Sequence, residues 1–175
     1  LSKFSNQVFL ISPNTGLKVN IKKFYGLKKS PKILKIKYFK KFPQGINYYL
    51  FSLISIFYGV FFKTDIYITR NLFTLFLLNL MNKKTIAEIH HDLSNEGRIV
   101  KFLYNNFKIL NSKNTLKVIA ITNSVKKYLI KEQKVDQKKI YVIPSASGIK
   151  SKFVNFKIKK SYKIGYFGSF EKSKG

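Results

Sequence analysis

Short runs rich in β-branched and aromatic residues alternate along this chain with stretches whose apolar residues recur at helical spacing, and no other feature constrains the fold as much. Gln7–Ser12 reads as a strand closed by the turn residues Pro13, Asn14, Thr15 and Gly16. Ile33–Phe39 is a second strand-like run, with Lys35 and Lys37 alternating. Residues 45–62 read as a helix, Asp65–Thr69 as a short strand, and Leu72–Asn82 as a helix capped by Asn71. Thr85–His90 is a strand. A helix over Glu96–Leu110, capped by Ser94 or Asn95, puts Ile99, Phe102, Leu103, Phe107 and Leu110 on one face. Leu116–Ile121 is a strand, and Ser124 caps a helix over Val125–Gln133. Ile140–Ile143 is a strand stopped by Pro144, and Tyr162–Phe167 is a last strand that enters Gly168. Strands separated by helices pair in parallel, because a parallel partner is reached only through a crossover. The expected class is α/β, a parallel sheet with flanking helices.

In open parallel sheets, ligands bind beyond the carboxyl ends of the strands, near a switch in strand order. The informative residues are therefore those that follow strands directly. They are Arg70, then His90, His91 and Asp92, then Thr122, Asn123 and Ser124, and finally the Gly168 loop. Residues 144–161 break the alternation with Pro, Gly, Ser and many Lys, and read as a linker. The expected organisation is a first domain over 1–143, a linker over 144–161 and the start of a second domain over 162–175. The first residue is Leu and the last segment stops at Gly175, so the chain is read as a fragment.

Composition narrows the function classes. At 45% hydrophobic residues the chain can bury a core and is no disordered basic tail. It has no Cys, which excludes disulfides, thiolate metal sites and a cysteine nucleophile, and only two His. The net charge is +27, from 34 Lys+Arg against 7 Asp+Glu, and all but two of the basic residues are Lys. Readers of nucleic acid usually use Arg, whose planar fork suits phosphates and base edges. The charge is also uneven. It is +12 over residues 1–64, +2 over 65–110 and +13 over 111–175, so it avoids the stretch that holds both His. A solvated Lys face, an anionic surface or ligand, and nucleic acid are the three readings of such a chain.

Phe42–Phe62 is 21 residues without a charge, between Lys40-Lys41 and Lys63, and long enough to span a bilayer. Only 14 of the 21 are apolar. Ser52, Ser55 and Gly59 form a small stripe beside Tyr48, while Ile46, Leu50, Leu53, Phe57 and Phe61 line the other face. One small and one large stripe suit a helix packed on a sheet. A small membrane protein spanning at 42–62 is one rival reading, and a lysine-rich nucleic-acid-binding module is another.

Five segments in order resemble the retaining glycosyltransferases of family 4, which have two facing Rossmann-like domains, the GT-B fold. They are Asp65-Ile66-Tyr67-Ile68-Thr69-Arg70-Asn71, Glu88-Ile89-His90 with Asp92, Ile121-Thr122-Asn123-Ser124 with the helix to Leu129, Lys139-Ile140-Tyr141-Val142-Ile143-Pro144 with Phe153, and Ile164-Gly165-Tyr166-Phe167-Gly168-Ser169 with Lys174-Gly175. Ser145-Ala146 stands where the family has Asn-Gly, and Gly148 where it has Asp. The resemblance implies a Rossmann-like acceptor-side domain over 1–143, lacking its first strand-loop, plus the first strand of a nucleotide-sugar-binding domain. It further implies sugar transfer from a nucleotide-sugar to a cell-surface glycan or lipid-linked acceptor. No metal or other cofactor is implied, and the fragment alone would be inactive.

Such chemistry needs a held diphosphate, a stabilised leaving group and an oriented acceptor hydroxyl. By resemblance, Lys174, Gly168 and Ser169 hold the donor, and His90 lies at the donor sugar and the reacting centre. Strand alternation puts Glu88 on the face of His90, and Asp92 is close in sequence. A carboxylate beside imidazole sets its tautomer. His91 faces the opposite way and reads as structural. A zinc site from His90, His91 and Asp92 is disfavoured, since adjacent His point apart and no third exists. Arg70 is an Arg kept where Lys is abundant, which suits bidentate contact with phosphate or acceptor, or an ion pair. Ser124 is a helix cap or a cleft contact. Lys18–Lys41 interleaves Lys with apolar residues, which suits peripheral contact with an anionic membrane from the cytoplasm. No specific nucleic acid is expected.

Overall fold

A computed structural model describes residues 8–14, 32–37 and 42–144. The expected strand Tyr162–Phe167, the linker beyond Pro144 and the loop with Gly168, Ser169 and Lys174 lie outside the described residues. Among the described residues there are six strands: β1 (Phe9–Asn14), β2 (Lys32–Lys37), β3 (Tyr67–Thr69), β4 (Thr85–Ile89), β5 (Thr115–Ala120) and β6 (Ile140–Val142). Four α-helices alternate with them: α1 (Gln44–Phe61), α2 (Leu72–Leu80), α3 (Arg98–Phe107) and α4 (Asn123–Lys131). One-turn 3-10 helices cover Leu93–Asn95 and Gln137–Lys139.

All pairings among the described strands are parallel. β3, β4, β5 and β6 form one sheet in chain order, and β1 and β2 form a separate two-stranded sheet. The class is thus α/β, as the alternation requires. The four-stranded sheet shows no reversal of strand order among the described residues, so the switch point expected beside the site is not among them. β1 runs on through Pro13 and Asn14, where a turn was expected, paired with Ile36 and Lys37. A proline lacks only its own N–H, and a sheet margin tolerates that loss.

The core lies between the four-stranded sheet and α2, α3 and α4. Leu75, Val118, Ala120 and Leu129 are fully buried. At the amino ends of the strands a neutral network closes the sheet. Asn79 Nδ2 donates to Thr115 Oγ1 at 3.1 Å, and Thr115 Oγ1 donates to the Ile109 carbonyl at 2.7 Å. Lys139 Nζ donates there to the carbonyls of Asn111, Ser112 and Thr115 at 3.0, 2.8 and 3.1 Å.

One helix, α3, presents a face that differs from the sequence expectation. α3 starts at Arg98, after the 3-10 turn, and buries Val100, Leu103 and Tyr104. Ile99, Phe102 and Phe107 stay exposed. The Tyr104 hydroxyl finds the Leu93 carbonyl at 3.0 Å, so its ring can go inward. α1 turns its small stripe inward. Ser52 is fully buried, its hydroxyl donating to the Tyr48 carbonyl at 2.8 Å, whereas Phe57 and Phe61 are 69% and 73% exposed. No helix among the described residues is long and apolar enough to cross a membrane, which removes the support for a span at 42–62.

Gly59 lets α1 approach β3. A Cβ there would lie 2.7 Å from Tyr67 Cε1, and the Tyr67 hydroxyl is itself tied to the Gly59 carbonyl at 3.0 Å. Gly59→Ala should therefore lower stability by about 1–2 kcal/mol despite alanine's better helix propensity, seen as a lower urea midpoint. In a Tyr67→Leu background the same change should be neutral or stabilising. A gain in the wild-type background would mean that Tyr67 does not pack there.

Candidate functional site

The carboxyl ends of β3 and β4 carry the titratable groups. Behind β3 the backbone is locked by neutral hydrogen bonds. Thr69 Oγ1 accepts from the Asn71 N–H at 3.0 Å, Asn71 Oδ1 caps α2 by accepting from the Thr74 N–H at 2.9 Å, and Asn71 Nδ2 donates to Ser52 Oγ at 2.8 Å. Asn71 is thus the cap that its position implied, and Arg70 sits between two fixed neighbours.

Glu88 joins the two strand ends. Its Oε1 atom pairs with His90 Nε2 at 2.7 Å and accepts from Arg70 Nη2 at 3.2 Å. The Glu88 and His90 side chains are 24% and 26% exposed, and that of Arg70 67%. Burial pushes the Glu88 carboxyl up, but the hydrogen bonds from His90 and Arg70 outweigh it and hold the group below its ordinary 4.5. With Glu88 ionised, His90 donates through Nε2, and the neutral ring keeps its lone pair on Nδ1.

The loop after β4 is clamped through one residue. Leu93 is buried; its N–H donates to the Tyr128 hydroxyl at 3.1 Å, and its carbonyl accepts from Tyr104. Gln133 Nε2 also donates to the Tyr128 hydroxyl, at 2.9 Å. Asp92 caps the 3-10 turn, accepting from the Ser94 N–H at 2.9 Å and from the Ser94 hydroxyl, and these bonds hold its carboxyl low. A cavity of about 240 Å³ opens here, lined by Arg70, Glu88, His90, His91 and Glu96 above Leu72, Ile89 and Leu93.

The structure therefore brings Arg70, Glu88 and His90 together. Asp92 bonds Ser94 instead of His90 and does not line this cavity. Ser124 lies exposed in the first turn of α4, away from the cavity. It is not the cap: Thr122 Oγ1 accepts from the Val125 N–H at 3.2 Å, because the helix begins two residues earlier than expected. His91 was expected to face away, yet it lines the same cavity, since β4 ends at Ile89 and strict alternation ends with it.

Several contributors escaped sequence reasoning. His91 Nε2 pairs with Glu96 Oε1 at 3.2 Å. Tyr48 is pushed up to about 12, first by burial and then by the charge of Glu96, against a downward pull from the backbone at Phe73. Glu96 sits just before a helix, where an acid reads as a terminus charge, and nothing in the pattern of Tyr104 or Tyr128 tells a core ring from a loop clamp. A second cavity, of about 390 Å³, is lined by Phe9, Lys32, Ile33, Leu34 and Phe62 and brings no carboxylate or imidazole. Among the described residues no three His, Asp or Glu side chains are grouped to hold a metal ion.

No protein-family model matches the chain, and no curated protein matches it. Among solved structures it is similar to a crystal structure described as a glycosyltransferase from Rickettsia africae ESF-5, at 20% sequence identity and a TM-score of 0.49. The match covers 80% of this chain and 43% of that one, so the chain spans less than half of that structure's length. The α/β assignment rests on the parallel ladders and crossovers of the chain itself.

The depressed Glu88 carboxyl sets a sign for pH dependence. Its ionised form is favoured by folding, so its contribution is full above the ordinary 4.5 and is lost as pH falls through the lower folded value. Urea midpoints should therefore fall more steeply for the wild type than for Glu88→Gln between roughly pH 5 and pH 3. Parallel curves would show that the pairing adds nothing to stability.

Proposed function

We propose that this chain is the acceptor-side part of a retaining, two-domain glycosyltransferase of family 4. The whole protein would transfer a sugar, of hexosyl type, from a nucleotide-sugar to a cell-surface glycan or lipid-linked acceptor. The observation that carries the reading is the convergence of Arg70, Glu88 and His90 at the carboxyl ends of adjacent parallel strands. The five ordered segments described above point the same way.

In this reading Glu88 holds His90 in one tautomer, with Nδ1 presented to the reacting centre, and Arg70 both anchors Glu88 and borders the acceptor. As the bond from the anomeric carbon to the diphosphate breaks, the acceptor oxygen bonds that carbon and its proton passes to the departing diphosphate oxygen. Fixed donors stabilise the charge that develops on the leaving group. Gly168, Ser169 and Lys174 are assigned to the donor phosphates on the sequence resemblance, and no metal or cofactor is assigned. Asp92 acts on the loop through Ser94, and Ser124 remains a cleft-side candidate on sequence order alone.

The test is nucleotide release from a panel of nucleotide-sugars by the whole protein. His90→Ala should cut kcat by about 10²–10⁴-fold with the circular dichroism spectrum and unfolding midpoint retained. Unchanged turnover would overturn the assignment. The 175-residue chain by itself should release no nucleotide.

The reading extends to a cytoplasmic site at the inner face of an anionic membrane. Residues 1–64 hold 12 Lys and no acid, and α1 leaves Ile46, Leu53, Phe57 and Phe61 exposed along one stripe. The chain should bind vesicles containing phosphatidylglycerol, more weakly as salt rises from roughly 50 to 200 mM. Phe57→Ser with Phe61→Ser should reduce the binding. Equal binding to neutral vesicles would count against the membrane assignment.

A further inference from the structure

We infer that the acceptor unit seated in this cleft is a saccharide end that carries hydroxyl or amino groups and no phosphate or carboxylate, recognised by Glu96 with its partner His91 as well as by Glu88. The inference rests on the glycosyltransferase reading above and adds the chemical class of its acceptor.

Two of the five polar residues that line the cavity, Glu88 and Glu96, are carboxylates. Glu88 spends Oε1 on both His90 and Arg70, and Glu96 spends Oε1 on His91. The Oε2 atom of each takes no hydrogen bond among the described residues. Two carboxylates, each with one oxygen committed and one open, pair with a ligand that donates. Vicinal hydroxyls of a sugar ring, or an amino group, are such donors. A phosphate brings only acceptors and further negative charge.

The charge balance at the cavity points the same way. Its fixed charges are two carboxylates against the single guanidinium of Arg70, and that guanidinium already bonds Glu88. Within a chain of net charge +27 this is a local exception. The surrounding lysines attract anions to the surface in general, but they do not line this cavity. A volume of about 240 Å³ lies below the roughly 300–1,000 Å³ of drug-sized sites and leaves room for one small polar unit. The apolar floor of Leu72, Ile89 and Leu93 suits the carbon face of such a ring.

The experiment titrates the 175-residue chain, with isotope-labelled histidines, against methyl glycosides, glucosamine and glucose 6-phosphate at 150 mM salt or roughly its physiological equivalent, so that long-range attraction is screened. The neutral glycosides or glucosamine should shift both His90 and His91 resonances and bind at least tenfold (roughly one 1.4 kcal/mol step) more tightly than glucose 6-phosphate. Glu96→Gln should weaken that binding several-fold, and His91→Ala should do likewise if the Gln variant fails to fold. Tighter binding of glucose 6-phosphate, or unchanged affinity in both variants, would overturn this inference and leave the transferase reading standing. No shift with any saccharide would overturn both.

Discussion

A carboxylate drawn partly out of water at the end of a strand is costly unless charged or polar donors replace the lost solvent. Glu88 meets that condition by taking His90 and Arg70 on one oxygen. Adjacent parallel strands run about 4.8 Å apart, so residues just past their carboxyl ends meet across the gap while their backbones stay paired. The bond from Arg70 to Glu88 ties the β3 loop to β4, and the bond from His90 sets the imidazole tautomer. Removing either donor leaves the carboxylate less compensated.

The two ends of the sheet divide the work. At the amino ends, Asn79, Thr115 and Lys139 satisfy backbone carbonyls, and burial pulls the Lys139 ammonium down from its ordinary value. These groups hold the structure together. At the carboxyl ends ionisable side chains face a cavity, while neutral groups behind them fix the backbone: Thr69, Asn71 and Ser52 on one side, Tyr104 and Tyr128 on the other. Functional side chains borne by loops gain precision only when the loop itself is pinned. Leu93, held at both its N–H and its carbonyl and buried by its side chain, pins the one that carries His90 and His91.

The alternation of strands and helices was legible because each period, 2 or 3.6, is local. So were Asn71 as a cap and the pairing of Glu88 with His90, which follow from spacing along one element. Facing was legible less often. α3 buries Val100 and Tyr104 instead of Ile99 and Phe102, because the hydroxyl of Tyr104 has a distant carbonyl to meet. His91 turns to the cavity because the strand stops one residue before His90, and a boundary of one residue decides a side chain's direction.

What the amino-acid order determined by itself was the class of fold and the strand ends on which the polar groups would stand. Those properties need only local periodicity and the rule that parallel strands require crossovers. Only the tertiary structure decided which polar groups meet: that Asp92 turns to Ser94, that Thr122 caps α4, and that Glu96 joins the site through His91. These outcomes depend on where α1, α3 and the 3-10 turn dock on the sheet. Docking is set by the fit of buried side chains and by hydrogen bonds between residues far apart in sequence, and neither has a local signature.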